Sequence, residues 1–173
     1  SMVTSRGCPY RCIFCSIHLH MGRSFRAHSV DNVLKHIELL VQCYGVRHIH
    51  FEDDNLTLDR DRFNKLLDGI LGEKFGITWD TPNGVRADLL SKELIVKSKE
   101  AGCVFFTIGV ESGIQHNLDR IVKKQLDLKE VERVAGVCKQ INLDLHAFFI
   151  IGFPQETMQD MQATLDYALY LER

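Results

Sequence analysis

CVFFTIGV at residues 103–110, DLKEVERVAGVC at 127–138 and LDLHAFFII at 143–151 decide the fold between them. The first and third runs are apolar without polar alternation, the pattern of strands covered on both faces. Between them, Asp127 followed three residues later by Glu130 has the spacing of a capping box. It opens a helix that places Val131, Val134, Ala135 and Cys138 on one face. Strand, crossover helix and strand in this order form the unit from which parallel sheets are built.

Upstream, the same alternation repeats. VTSRG reads as a first strand. Residues 29–44 read as a helix with Val30, Val33, Leu34, Ile37, Val41 and Tyr44 on one face, Ser29 as N-cap and Gly45 as stop. VRHIHF is the second strand, Phe63, Leu66, Leu67 and Ile70 mark the next helix, and ITWDT is the third strand. Ser91 caps a helix carrying Leu94, Ile95, Ser98 and Ala101, which stops at Gly102. A last helical pattern, with Met161, Leu165, Ala168 and Leu169 at helical spacing, follows the fifth strand. Five strand–helix units with right-handed crossovers suit either a doubly wound sheet or a curved partial barrel.

With 173 residues the chain has room for one domain, 1–173, with a core that needs no disulfides. Hydrophobic residues at 45% and charged residues at 25% exclude a disordered or fibrous chain. A net charge of −2 leaves no overall basic field to attract nucleic acid or an anionic membrane. The longest apolar runs are far shorter than a bilayer span, and no signal peptide opens the chain, so a cytoplasmic setting is the default. Ser1-Met2 reads as an expression remnant, the chain opens in a strand pattern and closes in a helical one, and a fragment of a longer protein is expected.

Every chemically unusual cluster follows a strand: the cysteines after the first, FEDDN after the second, PNGVR after the third, VESG after the fourth and GFPQE after the fifth. Strand C-termini and helix N-termini meet on that rim in parallel α/β folds, so the five clusters point to one shared site. The strongest of them is CPYRCIFC, in which Cys8, Cys12 and Cys15 are spaced CxxxCxxC. Three thiolates can hold an iron–sulfur cubane with one iron left open to a ligand. The same spacing completed by His18 gives a closed, structural Cys3His zinc site. Spacing leaves both open. Cys43, Cys103 and Cys138 sit singly in apolar surroundings and read as buried structural thiols. His48 and His50 alternate on one strand face and read as barrel-lining histidines, not as ligands.

TSRGCPYRCIFCS, with Phe14 just before the last cysteine, then Gly22-Arg23 and RAHS before the first helix, resembles the radical S-adenosylmethionine superfamily. It is most similar to the branch whose members often carry a cobalamin-binding domain N-terminal to the radical domain. The resemblance implies a partial (βα)6 TIM-like barrel, here cut to about five units. It implies an enzyme that holds a 4Fe-4S cluster on Cys8, Cys12 and Cys15 and lets S-adenosylmethionine chelate the open iron. One electron then cleaves the cofactor, and the resulting 5'-deoxyadenosyl radical abstracts a hydrogen from a substrate that this stretch does not identify.

The remaining rim clusters carry over one at a time. FEDDN stands where the family has a Gly-Gly-Glu-like motif for the cofactor's amino group, which nominates Asp54, with Asp53 next. A carboxylate suits an ammonium held away from water. Arg86 would neutralise the methionyl carboxylate, Glu111 would accept from the ribose hydroxyls, and Phe14 completes the cysteine motif. Ile150 would offer the adenine an apolar face, and Gly152 would let the backbone approach it. Cobalamin would come through a domain outside this stretch, and an electron donor such as flavodoxin or ferredoxin is expected. Methylation and oxidative cyclisation are the reactions in view, and a zinc-stabilised binding module without catalysis is the alternative.

Overall fold

The computed structural model describes residues 1–172. Two short antiparallel strands, β1 (Ser5–Arg6) and β2 (Arg26–Ala27), flank the loop that carries the cysteines and the short helix α1 (Ile17–His20). Then α2 (Val30–Tyr44), β3 (His48–His50), α3 (Arg60–Glu73), β4 (Thr78–Val85), α4 (Lys92–Glu100) and β5 (Cys103–Glu111) alternate. A short turn of helix, α5 (Gln115–Asn117), runs into a π-helical turn at Leu118–Val122, and α6 (Leu128–Gln140), β6 (Asp144–Phe149) and α7 (Met158–Glu172) complete the chain. The strands β3-β4-β5-β6 form a parallel sheet in chain order, as in an unclosed barrel.

Helix ends sit where the side chains demand. Ser29, Asp59 and Ser91 accept the backbone N–H of Asn32, Arg62 and Leu94 as N-caps, and Gly45 ends α2 at φ 65°. At α6, Asp127 caps Lys129 N–H, but Glu130 turns away to pair with Arg133 at 2.7 Å, so only half of the expected capping box forms. The Arg133 guanidinium also donates to the Leu90 carbonyl at 2.6 Å and outcompetes the cap.

Trp79 anchors the core between sheet and helices. Its ring is fully buried and meets Phe51, Phe63 and Phe106 edge to face at 5.5, 6.3 and 5.9 Å, while its indole N–H donates to the Ala101 carbonyl at 2.9 Å. Such contacts add to the burial of the ring and satisfy its polar atom. As expected, Phe63, Leu66, Leu67 and Ile70 of α3 pack here.

Four local expectations are corrected. VTSRG adds no strand to the parallel sheet: the residue before it, Met2, bridges to Phe51, and then the buried Asp53 carboxylate takes the N–H and hydroxyl of Thr4 and the hydroxyl of Ser5 and turns the segment aside to pair with β2. The strand β6 is largely exposed, not doubly buried, since only Leu145 and Phe149 reach the core and its outer edge has no strand partner among the described residues. Helix α7 turns Thr164, Tyr167 and Leu171 inward and leaves Leu165 and Leu169 exposed. The buried Thr164 hydroxyl decides this orientation by accepting the Gly113 N–H at 3.2 Å. Cys43 and Tyr44 are exposed, in the last turn of α2, whose buried residues are Val33 and Ile37.

Candidate functional site

The loop after the first strand is bent to shape by its glycine and its neighbours. Gly7 takes φ 90°, and a Cβ there would stand 2.2 Å from the Ser24 carbonyl oxygen, so only glycine fits. Its N–H donates to Asp54 Oδ2 at 2.7 Å, which ties the cysteine loop to the end of β3. Further along, Cys8 N–H donates to Gly22 O, Ile13 N–H to Val122 O and Arg23 Nη1 to Tyr10 O at 2.7 Å.

This loop closes over a cavity of about 430 Å³ at the C-terminal rim of the sheet. Cys8, Cys12 and Cys15 line it, together with Phe14, Asp54, Arg86, Glu111 and Ile150. Eight of the ten residues named from the sequence therefore meet in one place. Asp53 and Gly152 do not. Asp53 is 2% exposed and spends its oxygens on Thr4 and Ser5, one residue out of phase with Asp54 on the same exit from the sheet. Gly152 lies in open space at φ 92°, its N–H held by Glu156 Oε2 at 2.8 Å.

A second groove, about 800 Å³, runs between α6, β6 and α7, but none of the ten residues named from the sequence lines it.

The thiols are half-buried. Burial pushes the Cys8 and Cys12 thiols up, against the downward pull of Lys124 and Arg86 on Cys12. A thiolate there needs a cation against it. Cys8, Cys12, Cys15 and His18 are not gathered within 4.8 Å of one another, whereas sulfurs on a tetrahedral zinc lie about 3.8 Å apart. His18 turns its Nδ1 to the Cys15 carbonyl at 3.1 Å. Among the described residues these donors are therefore not gathered as a closed zinc tetrahedron.

Asp54 uses one oxygen on Gly7; Oδ1 has no hydrogen-bond partner among the described residues. Beside it, Asn55 is 3% exposed, and its Nδ2 has no acceptor although it is buried on the cavity wall. A buried amide donor without a partner is costly, and it marks a place where a ligand acceptor fits.

Glu111 sits at the end of β5 at φ 73°, 6% exposed, with Oε1 2.7 Å from Lys124 Nζ. Gly109 makes room for this pair: a Cβ there would stand 2.5 Å from the Glu111 carboxylate and 2.7 Å from the Lys124 ammonium. The Glu111 carbonyl accepts the Ile150 N–H at 2.9 Å and so sets Ile150 over the cavity. Arg86 is drawn into the protein. Nε and Nη2 grip Asp88 at 3.0 Å, Nη1 and Nη2 donate to the Lys124 and Gln125 carbonyls at 2.9 Å, and the guanidinium lies 3.8 Å over the Tyr10 ring. Four of its five N–H donors are thereby used, and one remains for a ligand.

Lys124, Asn55 and Tyr10 were not singled out in the sequence. Lys124 follows the π-helical turn, between Lys123 and Gln125, both at φ 56°, and no periodicity announces that backbone. Asn55 was within reach, as the last residue of FEDDN.

The chain matches the model of the radical SAM superfamily over residues 2–168. It is 33% identical over 173 residues to cytidylyl-2-hydroxyethylphosphonate methyltransferase of Streptomyces wedmorensis, covering 96% of this chain and 32% of that protein. It is 27% identical to anaerobic magnesium-protoporphyrin IX monomethyl ester cyclase of Rubrivivax gelatinosus, covering 95% of this chain and 29% of the relative. The fold superposes with a TM-score of 0.87 on the radical S-adenosylmethionine methyltransferase TsrM of Kitasatospora setae, solved with cobalamin and a [4Fe-4S] cluster, at 19% identity, over 99% of this chain and 34% of that one. The chain thus spans about a third of the length of the proteins it matches. No helix among the described residues is long and apolar enough to cross a membrane.

Proposed function

The chain belongs to the radical S-adenosylmethionine superfamily, and from that premise we propose that residues 1–173 are the core domain that holds a 4Fe-4S cluster and S-adenosylmethionine in the cavity under the cysteine loop. The observation that carries the reading is the convergence of all three motif thiols with Asp54, Glu111, Ile150 and the unpartnered Asn55 amide on one cavity. When bound, the cluster supplies one electron to the cofactor's sulfonium, and the radical that results abstracts hydrogen from a substrate.

In this reading the chain's own residues bind, orient and shield. Cys8, Cys12 and Cys15 hold three irons. Asp54 Oδ1 accepts from the cofactor's ammonium, and the Glu111 oxygen not taken by Lys124 accepts from the ribose. Asn55 Nδ2 donates to an oxygen of the ligand. Phe14 and Ile150 cover apolar faces and keep water from the reacting centre. Arg86 brackets the loops more than it binds, because its donors are committed to Asp88, Lys124 and Gln125.

For the whole protein we propose methyl transfer with cobalamin, reduced by a flavodoxin- or ferredoxin-like donor. The 33% identity to a methyltransferase favours this over the cyclase reaction, whose relative is 27% identical. The test is titration of the anaerobically reconstituted chain with S-adenosylmethionine, followed by the paramagnetic spectrum of the reduced cluster. Glu111→Gln and Asp54→Asn should keep their iron and weaken the cofactor by roughly ten- to a hundredfold, the effect of one lost charge-assisted hydrogen bond. Unchanged affinity in both variants would withdraw the assignment of the two carboxylates.

A further inference from the structure

The inner face of the sheet carries a side-chain cluster that the cysteine cavity does not use. His48 and His50 stand two residues apart on β3, so both rings share the face opposite to buried Ile49. The parallel register sets His50 against Asp80 of β4 and His48 against Thr78. The Asp80 side chain is 2% exposed, while those of His48 and His50 are 35% and 48% exposed. A buried carboxylate is thus covered by two imidazoles that themselves reach solvent. His48 Nε2 lies 2.9 Å from Asp80 Oδ2, and His50 Nδ1 lies 2.8 and 3.0 Å from the two oxygens.

One tautomer of His48 presents a lone pair to Asp80 and makes the cluster a set of metal ligands. Its Nδ1 is 2.7 Å from the Thr78 hydroxyl, which donates onward to the Arg47 carbonyl at 3.4 Å. In the tautomer that leaves Thr78 donating to Arg47, the hydroxyl accepts from His48 Nδ1–H. A neutral ring protonated at Nδ1 carries a lone pair at Nε2, and that lone pair faces the Asp80 carboxylate. In that tautomer a cation bridges the two acceptors at 2.9 Å, whereas in the other Nε2–H donates to Asp80 directly. The relay from Nδ1–H through a hydroxyl to a backbone carbonyl is also the outer support that a metal-bound imidazole has.

We propose that His48 Nε2, His50 Nδ1 and the Asp80 carboxylate form a three-ligand site for a divalent transition ion of the zinc class, with its other positions open to the inner face of the sheet. The ligand atoms lie within 4.8 Å of one another. Donors about 2.0 to 2.1 Å from such an ion stand about 3.0 to 3.4 Å apart, so the observed nitrogen–oxygen separations need only a small rotation of two exposed rings. Two histidines and one carboxylate with positions left open is the arrangement of ions that take an exogenous ligand. The site is separate from the cysteine loop. Asp80 precedes Val85 by five residues of β4, about 15 Å of strand, so the ion sits toward the opposite end of the strands.

The competing occupant is a proton: a His48 ring protonated at Nε2, with the Thr78 hydroxyl donating to Nδ1, also satisfies Asp80. The experiment is calorimetric titration of Zn²⁺ into the Cys8→Ser, Cys12→Ser, Cys15→Ser chain, with Co²⁺ absorption as a second probe. One equivalent of zinc is expected, with a cobalt spectrum free of thiolate charge transfer. His48→Gln and His50→Gln, both at exposed rings, should each weaken binding by about tenfold or more with the circular-dichroism spectrum unchanged, and His36→Gln should not. No zinc binding, or binding indifferent to His48→Gln and His50→Gln, would mean that a proton holds the cluster and would overturn the proposal. If the triple serine chain does not fold, metal analysis of the iron-reconstituted chain replaces it. One zinc beyond the iron content, lost in both histidine variants, supports the site, and none in the parent refutes it.

Discussion

Replacing Lys124 by Met removes an ammonium from the cavity wall while keeping most of the stem that packs there. In the native chain Nζ lies 2.7 Å from Glu111 Oε1, with both side chains 7% exposed. The main chain of residue 124 is anchored separately, its N–H on the Leu118 carbonyl and its carbonyl on Arg86 Nη1, so the loop should persist. What changes is that Glu111 becomes a buried charge without a partner, in a left-handed conformation that itself costs about 1 to 3 kcal/mol. Breaking one side of a buried pair costs about 3 to 5 kcal/mol, whereas an exposed pair is worth less than about 1. For a chain of this size each kcal/mol moves the midpoint by about 2 to 4 °C, so Lys124→Met should melt about 6 to 20 °C lower. The double variant Glu111→Gln, Lys124→Met leaves no unpaired charge and should recover at least half of the loss. The assay is urea and thermal unfolding of the three chains. A loss under about 1 kcal/mol, or a double variant no better than the single, would refute the claim that this pair is desolvated and mutually dependent.

Two further perturbations read other parts of the structure. Gly7→Ala should lower iron incorporation sharply while sparing the Trp79 core, because its methyl would meet the Ser24 carbonyl at 2.2 Å and pull the loop off Asp54; full iron occupancy would contradict the tight turn. Burial raises the Cys138 thiol to about 11 and the Cys103 thiol further still, whereas Cys43 is exposed. Alkylation near pH 8 followed by peptide mapping should therefore label Cys43 and leave Cys103 and Cys138 intact, and equal labelling would contradict their burial. Since unfolded thiols ionise first, the folded chain binds more protons than the unfolded one between about pH 9 and 11, and stability should fall across that window as pH rises.

The order of elements was legible because caps and apolar stripes agree locally with the global fold: Ser29, Ser91 and Gly45 end helices where their chemistry requires. The shared rim was legible for a topological reason, since every strand exit in a parallel sheet delivers its loop to one edge. Which neighbour faces the cavity was not. Asp53 and Asp54 are adjacent acids in a polar loop, and only the register of Met2 against Phe51 sends one to Thr4 and Ser5 and the other to Gly7. The exposure of β6 was hidden for a similar reason: an apolar run reads the same whether or not another element covers it. Lys124 was invisible because its position depends on a π-helical turn and two left-handed residues that no pattern of hydrophobicity encodes.

The central claim is that Cys8, Cys12 and Cys15 hold one cubane cluster with an iron open to S-adenosylmethionine. The most direct measurement is anaerobic reconstitution of the chain with iron and sulfide, with metal analysis and the paramagnetic spectrum of the reduced protein before and after addition of the cofactor. The account predicts about four irons per chain, a spectrum that changes on addition of S-adenosylmethionine, and loss of the iron when any one of the three cysteines becomes alanine. A colourless chain that takes up one zinc through the same cysteines, or a cluster that survives their removal and depends on Cys43, Cys103 or Cys138, would contradict it.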